Sequence, residues 1–532
     1  MANLVVCCDG TWNTPDETRG EVPTPTNVRR LFNALADEDD FGAPQKKYYH
    51  PGVGTSGRWW KRLAGGGGGA GLADNVKSAY QWLAYSYGAG DKIFLFGFSR
   101  GAFTVRSLSG LIGCCGLLDV TGVGMTPDEA WRRIDLAFRC YRLSGDCRTS
   151  SDALLLKDKE QKFRELKSLA FHDVPKGDDP QGKTPIYFLG VWDTVGALGI
   201  PNELAILNLF DNPKRFSFHN TTLSESVHNA RHAIAMDEKR RQFTPTLWPK
   251  DSDPARVKQV WFPGVHSDVG GGYAQVGLSD SALKWMIDEA QSKGLKFQNL
   301  EDQFKIDHWG VLHNSLTGVF KTLQSYPRNV PKLSNKCEDG PFHESVCERY
   351  KTTPIAQGAY WPTDDLVPGE PHAPIDIYAR DKWNFTGLYL EENATYKLTA
   401  SGQWIDWFIK CGPAGLEDNG FILAKIGYAI GSAIGALQTF FRNATKNKAA
   451  TLLWAKREPD MPWFSLVGVV ANGGGVDEDG DPAPHQSFQI GEECTIRIEP
   501  GKSGYLYCFA NDAWGLYFNN KGHVALTVER VS

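Results

Sequence analysis

The decisive stretch reads Lys92-Ile93-Phe94-Leu95-Phe96-Gly97-Phe98-Ser99-Arg100-Gly101-Ala102-Phe103. An apolar run breaks into Gly-x-Ser-x-Gly and continues as a helical pattern from Ala102 to Leu111. That is the sequence form of a nucleophile elbow, in which a strand stops at a sharp turn and a serine stands at the start of a helix. Small residues must flank the turn, because a Cβ at Gly97 or Gly101 would strike the neighbouring strand or helix. The helix N-terminus offers free N–H groups and a favourable dipole to an oxyanion. Ser99 is therefore the expected nucleophile, and the Arg100 N–H an expected oxyanion donor.

Working outward, other apolar strands end in polar residues. Leu4 to Cys8 leads into Asp9-Gly10-Thr11-Trp12-Asn13, Ile186 to Val191 into Trp192-Asp193-Thr194, and Val257 to Phe262 into Pro263-Gly264-Val265-His266. Leu72 to Tyr87 has Val76, Tyr80, Leu83 and Ala84 on one helical face. Strands alternating with helices predict an α/β fold, a mostly parallel sheet with flanking helices of the α/β-hydrolase type. Active sites of open α/β sheets gather past the carboxyl ends of the strands, where these polar residues fall.

A serine needs a base, and the base an orienting acid. His266, followed by a glycine-rich loop, is the expected base and Asp193 the expected acid. Ser99, Asp193, His266 is the chain order α/β hydrolases use. Asp268 is read as holding its own turn, and His50, His228, His232 and His343 as structural or substrate-lining. Gly10 or Thr11 is expected to supply the second oxyanion donor. Asp9 is read either as bracing that loop through Asx-type hydrogen bonds or as a metal ligand.

The chain has 532 residues with a formal net charge of −5, which argues against a general nucleic-acid binder. Eleven cysteines, an odd number in a chain this long, are no disulfide framework; Cys140 with Cys147, or Cys337 with Cys347, are pairs open to bonding. The N-terminus lacks a basic region and a cleavage site, so synthesis in the cytoplasm without a signal peptide is expected.

Residues 1–350 are read as the catalytic domain and the proline-punctuated 351–381 as a linker. Residues 382–532 are read as a small β-sandwich of short strands with turn signals between them. An apolar insertion at about 421–447 interrupts that domain. Its core, Phe421 to Phe441, carries glycines every four residues at Gly427, Gly431 and Gly435, and reads as a packed helical hairpin or a lipid-contacting element. Near the C-terminus, Asn511-Asp512-Ala513-Trp514-Gly515-Leu516-Tyr517-Phe518-Asn519-Asn520 collects one carboxylate and three amides, which suits Ca²⁺ or a polar hairpin turn.

Residues 3–350 resemble the α/β-hydrolase family that includes type VI secretion phospholipase effectors. The likeness rests on Asp9–Asn13, His50-Pro51-Gly52-Val53-Gly54-Thr55, Gly97–Phe103, Val191–Gly196, His232 through Asp237-Glu238-Lys239-Arg240, and Val265–Tyr273. It implies a triad on Ser99, Asp193 and His266, hydrolysis of phospholipid acyl esters, and export by a type VI system into rival cells. Residues from about 382 resemble calcium-dependent galactose-binding bacterial lectins. There the match implies metal ligands at Asp512, the Leu516 carbonyl, Asn519 and Asn520, with a further one near Ile405 or Asp406.

The expectation is a serine esterase of phospholipase A type that needs no cofactor for catalysis, with Ca²⁺ in the C-terminal domain. Its expected partners are a phospholipid membrane, surface glycan or lipopolysaccharide, a cognate immunity protein, and a secretion spike or adaptor. The alternatives are a calcium-dependent glycan-binding protein on an inactive hydrolase scaffold, or an esterase for small soluble esters.

Overall fold

The computed structural model describes the chain apart from residues 11–17, 20–21, 53–67, 146–169, 173–183, 196–222, 250–252, 300, 322–323, 353–357, 407, 417–455 and 475–482. The 421–447 insertion and Thr11 thus lie outside the described residues. Among the described residues no helix is long and apolar enough to cross a membrane.

Six parallel strands form the first sheet: β1 (Asn3–Cys8), β2 (Gln45–His50), β3 (Lys92–Phe98), β4 (Ile186–Trp192), β5 (Ala230–Ala235) and β6 (Val257–Phe262), in the order β2-β1-β3-β4-β5-β6. Every residue of β1 is buried, and its side chains alternate between two cores. Leu4, Val6 and Cys8 join one with Val76, Tyr80 and Leu108; Val5 and Cys7 join the other with Phe94, Phe188 and Met286. A strand covered on both faces reads as a continuous apolar run, and that made it visible in the sequence. Helices Gly68–Ser86 and Arg100–Cys115 supply the first cover, and Gly277–Gln291 the second.

The C-terminal strands are β7 (Ile375–Tyr378), β8 (Asn384–Leu390), β9 (Thr395–Asp406), β10 (Ile409–Cys411), β11 (Leu466–Val470), β12 (Gln486–Gln489), β13 (Glu493–Arg497), β14 (Gly504–Ala510) and β15 (Asn520–Arg530). They form two antiparallel sheets, β8-β14-β11-β12 and β10-β9-β15-β7 with β13 on β9. Leu388, Leu466 and Leu506 of one meet Leu398, Leu526 and Val528 of the other in a shared core. The stretch 351–381, read as linker, is corrected at its end: Ile375–Tyr378 pairs with β15. The prolines that suggested a linker stop at Pro374, and behind them the alternation Ile375, Ile377 is that of an edge strand.

The two domains meet along a polar and aromatic seam. Trp383 Nε1 donates to Ser325 O at 3.1 Å, Leu333 N to the Tyr505 hydroxyl at 2.8 Å, and the Tyr326 hydroxyl to Ala483 O at 2.8 Å. Cys337 and Cys347 are joined by a disulfide, one of the pairings left open by the sequence.

Candidate active site

Ser99 stands between β3 and the helix Arg100–Cys115 with φ 57° and ψ −122°, a conformation costly for a residue with a Cβ. The tightness of the elbow is physical. A Cβ on Gly101 would lie 2.0 Å from Cys8 O, and one on Gly97 would lie 2.5 Å from Gly101 O. The end of β1 therefore presses directly on the first turn of the helix. The Arg100 N–H belongs to that first turn, where no carbonyl of the helix can reach it. Burial draws the Arg100 guanidinium down to about 9.

Asp193 lies past the end of β4, beside β3, and Ser99 N donates to Trp192 O at 3.1 Å. Asp193 too has a left-handed backbone, φ 38°. His266 follows β6 at the start of a helical turn, His266–Gly270, and its Nδ1 lies 2.6 Å from Asp193 Oδ2. The imidazole packs on Phe98, the residue before the nucleophile, at 4.6 Å between centroids, and edge-on against Phe243. Gly270 gives Phe98 its room, since a Cβ there would sit 1.9 Å from that ring. His266 Nε2 is buried and has no hydrogen-bond partner among the described residues. Asp193 thus holds one imidazole nitrogen, and the other is engaged by no described residue.

Arg328, which sequence reasoning did not select, grips the acid. Its Nη1 donates to Asp193 Oδ1 at 2.7 Å and its Nη2 to Oδ2 at 2.9 Å, with Phe243 O accepting a further bond at 2.6 Å. The Ala235 N–H also donates to Asp193 Oδ1, at 3.0 Å. Burial pushes the Asp193 carboxyl up, but Arg328 and His266 outweigh it and hold it well below the usual carboxylate range. Burial lowers the imidazole pKa of His266, only partly offset by Asp193. No local pattern marks Arg328, which is 135 positions from its partner.

Glu238 is the other residue the structure adds. It accepts from the His266 N–H at 3.3 Å, from Ser315 Oγ at 2.8 Å and from Arg240, bracing the turn that carries the base. Arg240 in turn lies over the Phe243 ring at 3.5 Å. Asp268 accepts from Val265 N at 3.0 Å and pairs with His313, as a turn-holding residue. Among the other histidines, His232 Nε2 accepts from Thr194 N, His50 Nδ1 from Gly52 N, His343 caps the helix Glu344–Lys351, and His228 packs on Tyr187.

Asp9 accepts from Gly10 N at 2.7 Å, Thr26 Oγ1 at 2.6 Å and the Tyr49 hydroxyl at 2.7 Å. Its carboxylate braces the loop with three donors. The Gly10 N–H is thereby turned onto Asp9 rather than toward Ser99, so in this arrangement it is not free to serve as an oxyanion donor.

A second polar cluster lies in the sandwich. The β9–β15 register sets Asp406 opposite Asn520. Asn520 Nδ2 donates to Asp512 Oδ2 at 3.0 Å, and Asn519 Nδ2 to Asp406 Oδ1 at 2.8 Å. The Oδ1 atoms of both asparagines are buried without partners among the described residues. Burial and the neighbouring Asp406 push Asp512 up to about 7, and burial raises Asp406 as well. The Leu516 carbonyl accepts from Asn519 N at 3.2 Å. Hard oxygens, a buried carboxylate beside a half-buried one and two amide oxygens without partners among the described residues fit a divalent cation such as Ca²⁺.

The parallel sheet, the strained serine turn and the acid–histidine pair past neighbouring strand ends define an α/β-hydrolase-like protein with a β-rich C-terminal domain. Residues 2–289, more than half of the chain, match the family described as type VI secretion system phospholipase effector Tle1-like, catalytic domain, and the chain belongs to that family. An uncharacterised protein of Saccharomyces cerevisiae is 27% identical over 254 residues, covering 45% of this chain and 32% of the relative. Among solved structures, an uncharacterised protein from Pseudomonas aeruginosa is 18% identical with a TM-score of 0.30, covering 57% of this chain and 48% of the other. A Tle1 effector bound to the VgrG spike of the type VI secretion system is 17% identical with a TM-score of 0.27, covering 52% of each chain. The EclA N-terminal domain, a PllA-like lectin, is 14% identical with a TM-score of 0.18, covering 30% of this chain and 97% of the lectin. The chain spans about a third of the length of the curated relative and about half of the first solved structure.

Proposed function

We propose that this protein is a serine phospholipase of type A, an antibacterial effector that cleaves acyl esters of membrane phospholipids. The observation that carries the reading is the His266–Asp193 pair at 2.6 Å, its free Nε2 buried beside the strained elbow of Ser99. In this mechanism Ser99 Oγ attacks the ester carbonyl while His266 Nε2 takes its proton. His266 then returns the proton to the leaving alcohol, and water hydrolyses the acyl-serine by the same relay. The Arg100 N–H, with Thr11 as second donor, stabilises the oxyanion.

The sandwich acts as a docking module for surface glycan or lipopolysaccharide. Asp406, Asp512, Asn519, Asn520 and the Leu516 carbonyl would hold Ca²⁺ there. The ion would neutralise the two carboxylates and order the loop; no catalytic step runs through it. Delivery on a secretion spike and neutralisation by an immunity protein complete the reading. The test is fatty-acid release from phospholipid vesicles by wild type and Ser99→Ala, with and without EDTA. Release by wild type alone is expected. Full release by Ser99→Ala would overturn the proposal, and release only from soluble short-chain esters would move the substrate class.

A further inference from the structure

The seam between the two domains encloses a cavity of about 330 Å³, within the range of small-molecule sites. Neither Ser99 nor His266 lines it. Arg328 does, so the cavity reaches the guanidinium that grips Asp193.

Its chemistry is one-sided. Trp361, Trp383, Phe385 and Tyr507 form an aromatic wall, with Phe385 and Tyr507 centroids 5.3 Å apart and Trp383 and Tyr507 6.1 Å apart. Both indole N–H groups are spent, Trp361 on Asp237 Oδ1 and Trp383 on Ser325 O, so these rings offer only apolar surface. The acceptors are also taken. Asp237 receives Gly264 N, the Tyr360 hydroxyl and Trp361 Nε1, and Glu238 receives Arg240, Ser315 and His266 N. What remains are groups able to donate. The Tyr507 hydroxyl has no hydrogen-bond partner among the described residues, Arg328 Nε is buried without one, and Lys239 is exposed at the rim with no ion pair among the described residues. The other lining cations are committed: Arg328 to Asp193, and Arg349 to the carbonyls of His308 and Gly310.

Apolar walls with a spare ammonium at the rim and a hydroxyl free to donate suit a ligand with an apolar body and an accepting head carrying one negative charge. We propose that the seam cavity is a binding site for an acyl-chain carboxylate, its chain along Trp361, Trp383 and Phe385 and its acid group taken by the Tyr507 hydroxyl and the Lys239 ammonium. This site is separate from the catalytic cleft, and the proposal does not depend on the reaction assigned to that cleft.

Calorimetric titration of the full chain with sodium decanoate tests it, with decanol as the uncharged probe of equal length. Saturable decanoate binding is expected, at least about tenfold tighter than decanol. Tyr507→Phe, which keeps the ring, and Lys239→Gln, at the exposed rim, are each expected to weaken decanoate about three- to tenfold and to leave decanol unchanged. Ser99→Ala is expected to bind decanoate as wild type does. No saturable binding, equal affinity for decanol, or wild-type affinity in both variants would overturn the proposal. The readout is heat of binding rather than turnover, so its failure would leave the phospholipase reading standing, and loss of lipase activity would leave this site standing.

Discussion

Two buried carboxylates, Asp193 in the hydrolase domain and Asp512 in the sandwich, are both removed from water and end in opposite states. Asp193 has a guanidinium bound through two nitrogens, a histidine and a backbone N–H, and stays anionic. Asp512 has an asparagine, a backbone N–H and a second carboxylate nearby, and rises to about 7. Burial alone raises a carboxyl; the partner supplied by the fold decides the outcome. Where the chain supplies the cation, the acid is ready to orient a base. Where it supplies a like charge, the acid rises toward neutrality instead.

The comparison breaks first at Asp193. Asp193→Asn should lower kcat by about 10⁴-fold while circular dichroism stays native, because the amide no longer holds His266 as the acid does. A loss below about tenfold would remove Asp193 from the mechanism. Next is Arg328→Met, which leaves Asp193 buried and without its cation. Chemical denaturation should show a loss of about 3–5 kcal/mol, with Arg328→Lys losing less. Unchanged stability in Arg328→Met would mean that backbone donors suffice.

The third comparison reverses the sign by adding a cation to the other site. Ca²⁺ at about a hundredfold over its dissociation constant should stabilise wild type by about 2.7 kcal/mol. Asp512→Ala should abolish that gain in a thermal melt. Hydrolysis of a soluble ester should be indifferent to EDTA. A gain that persists in Asp512→Ala places the ion elsewhere.

The smallest effect is on pH. In the proposed mechanism the neutral imidazole is the base, and its folded pKa lies below the ordinary value near 6.5, so the acid limb of kcat/KM should fall below that pH. Arg240 is a cation that lowers it further, and Arg240→Gln should move the limb upward. The same depression means the unfolded state takes up the proton first, so acidification through the unfolded pKa costs stability. A limb that moves downward in Arg240→Gln would refute the electrostatic account of His266.

Much of this was legible beforehand. The six residues after Gly97 specified a strained elbow, and Gly97 and Gly101 meet neighbouring backbone as their lack of a Cβ requires. Asp193 and His266 stood just past apolar runs that are strands. The strand Ala230–Ala235 was harder to see, because Arg231 and His232 interrupt its apolar pattern; both are buried, Arg231 against Glu289 and His232 against Thr194 and Trp248. The edge strand Ile375–Tyr378 was hidden behind prolines, and the placement of Asp406 opposite Asn520 needed the β9–β15 register.

The sequence by itself determined the α/β class, the elbow at Ser99 and the positions of Asp193 and His266 just past strand ends, because these follow from local rules: an apolar run, glycines that permit a turn, and chain order. Only the tertiary structure decided which charge accompanies each buried carboxylate. Arg328 reaches Asp193 across 135 positions, Asp406 meets Asn519 across 113, and the seam cavity is built from both domains. Such pairings leave no periodic trace, because a buried ion answers to whatever the fold brings within a few ångströms rather than to its neighbours along the chain.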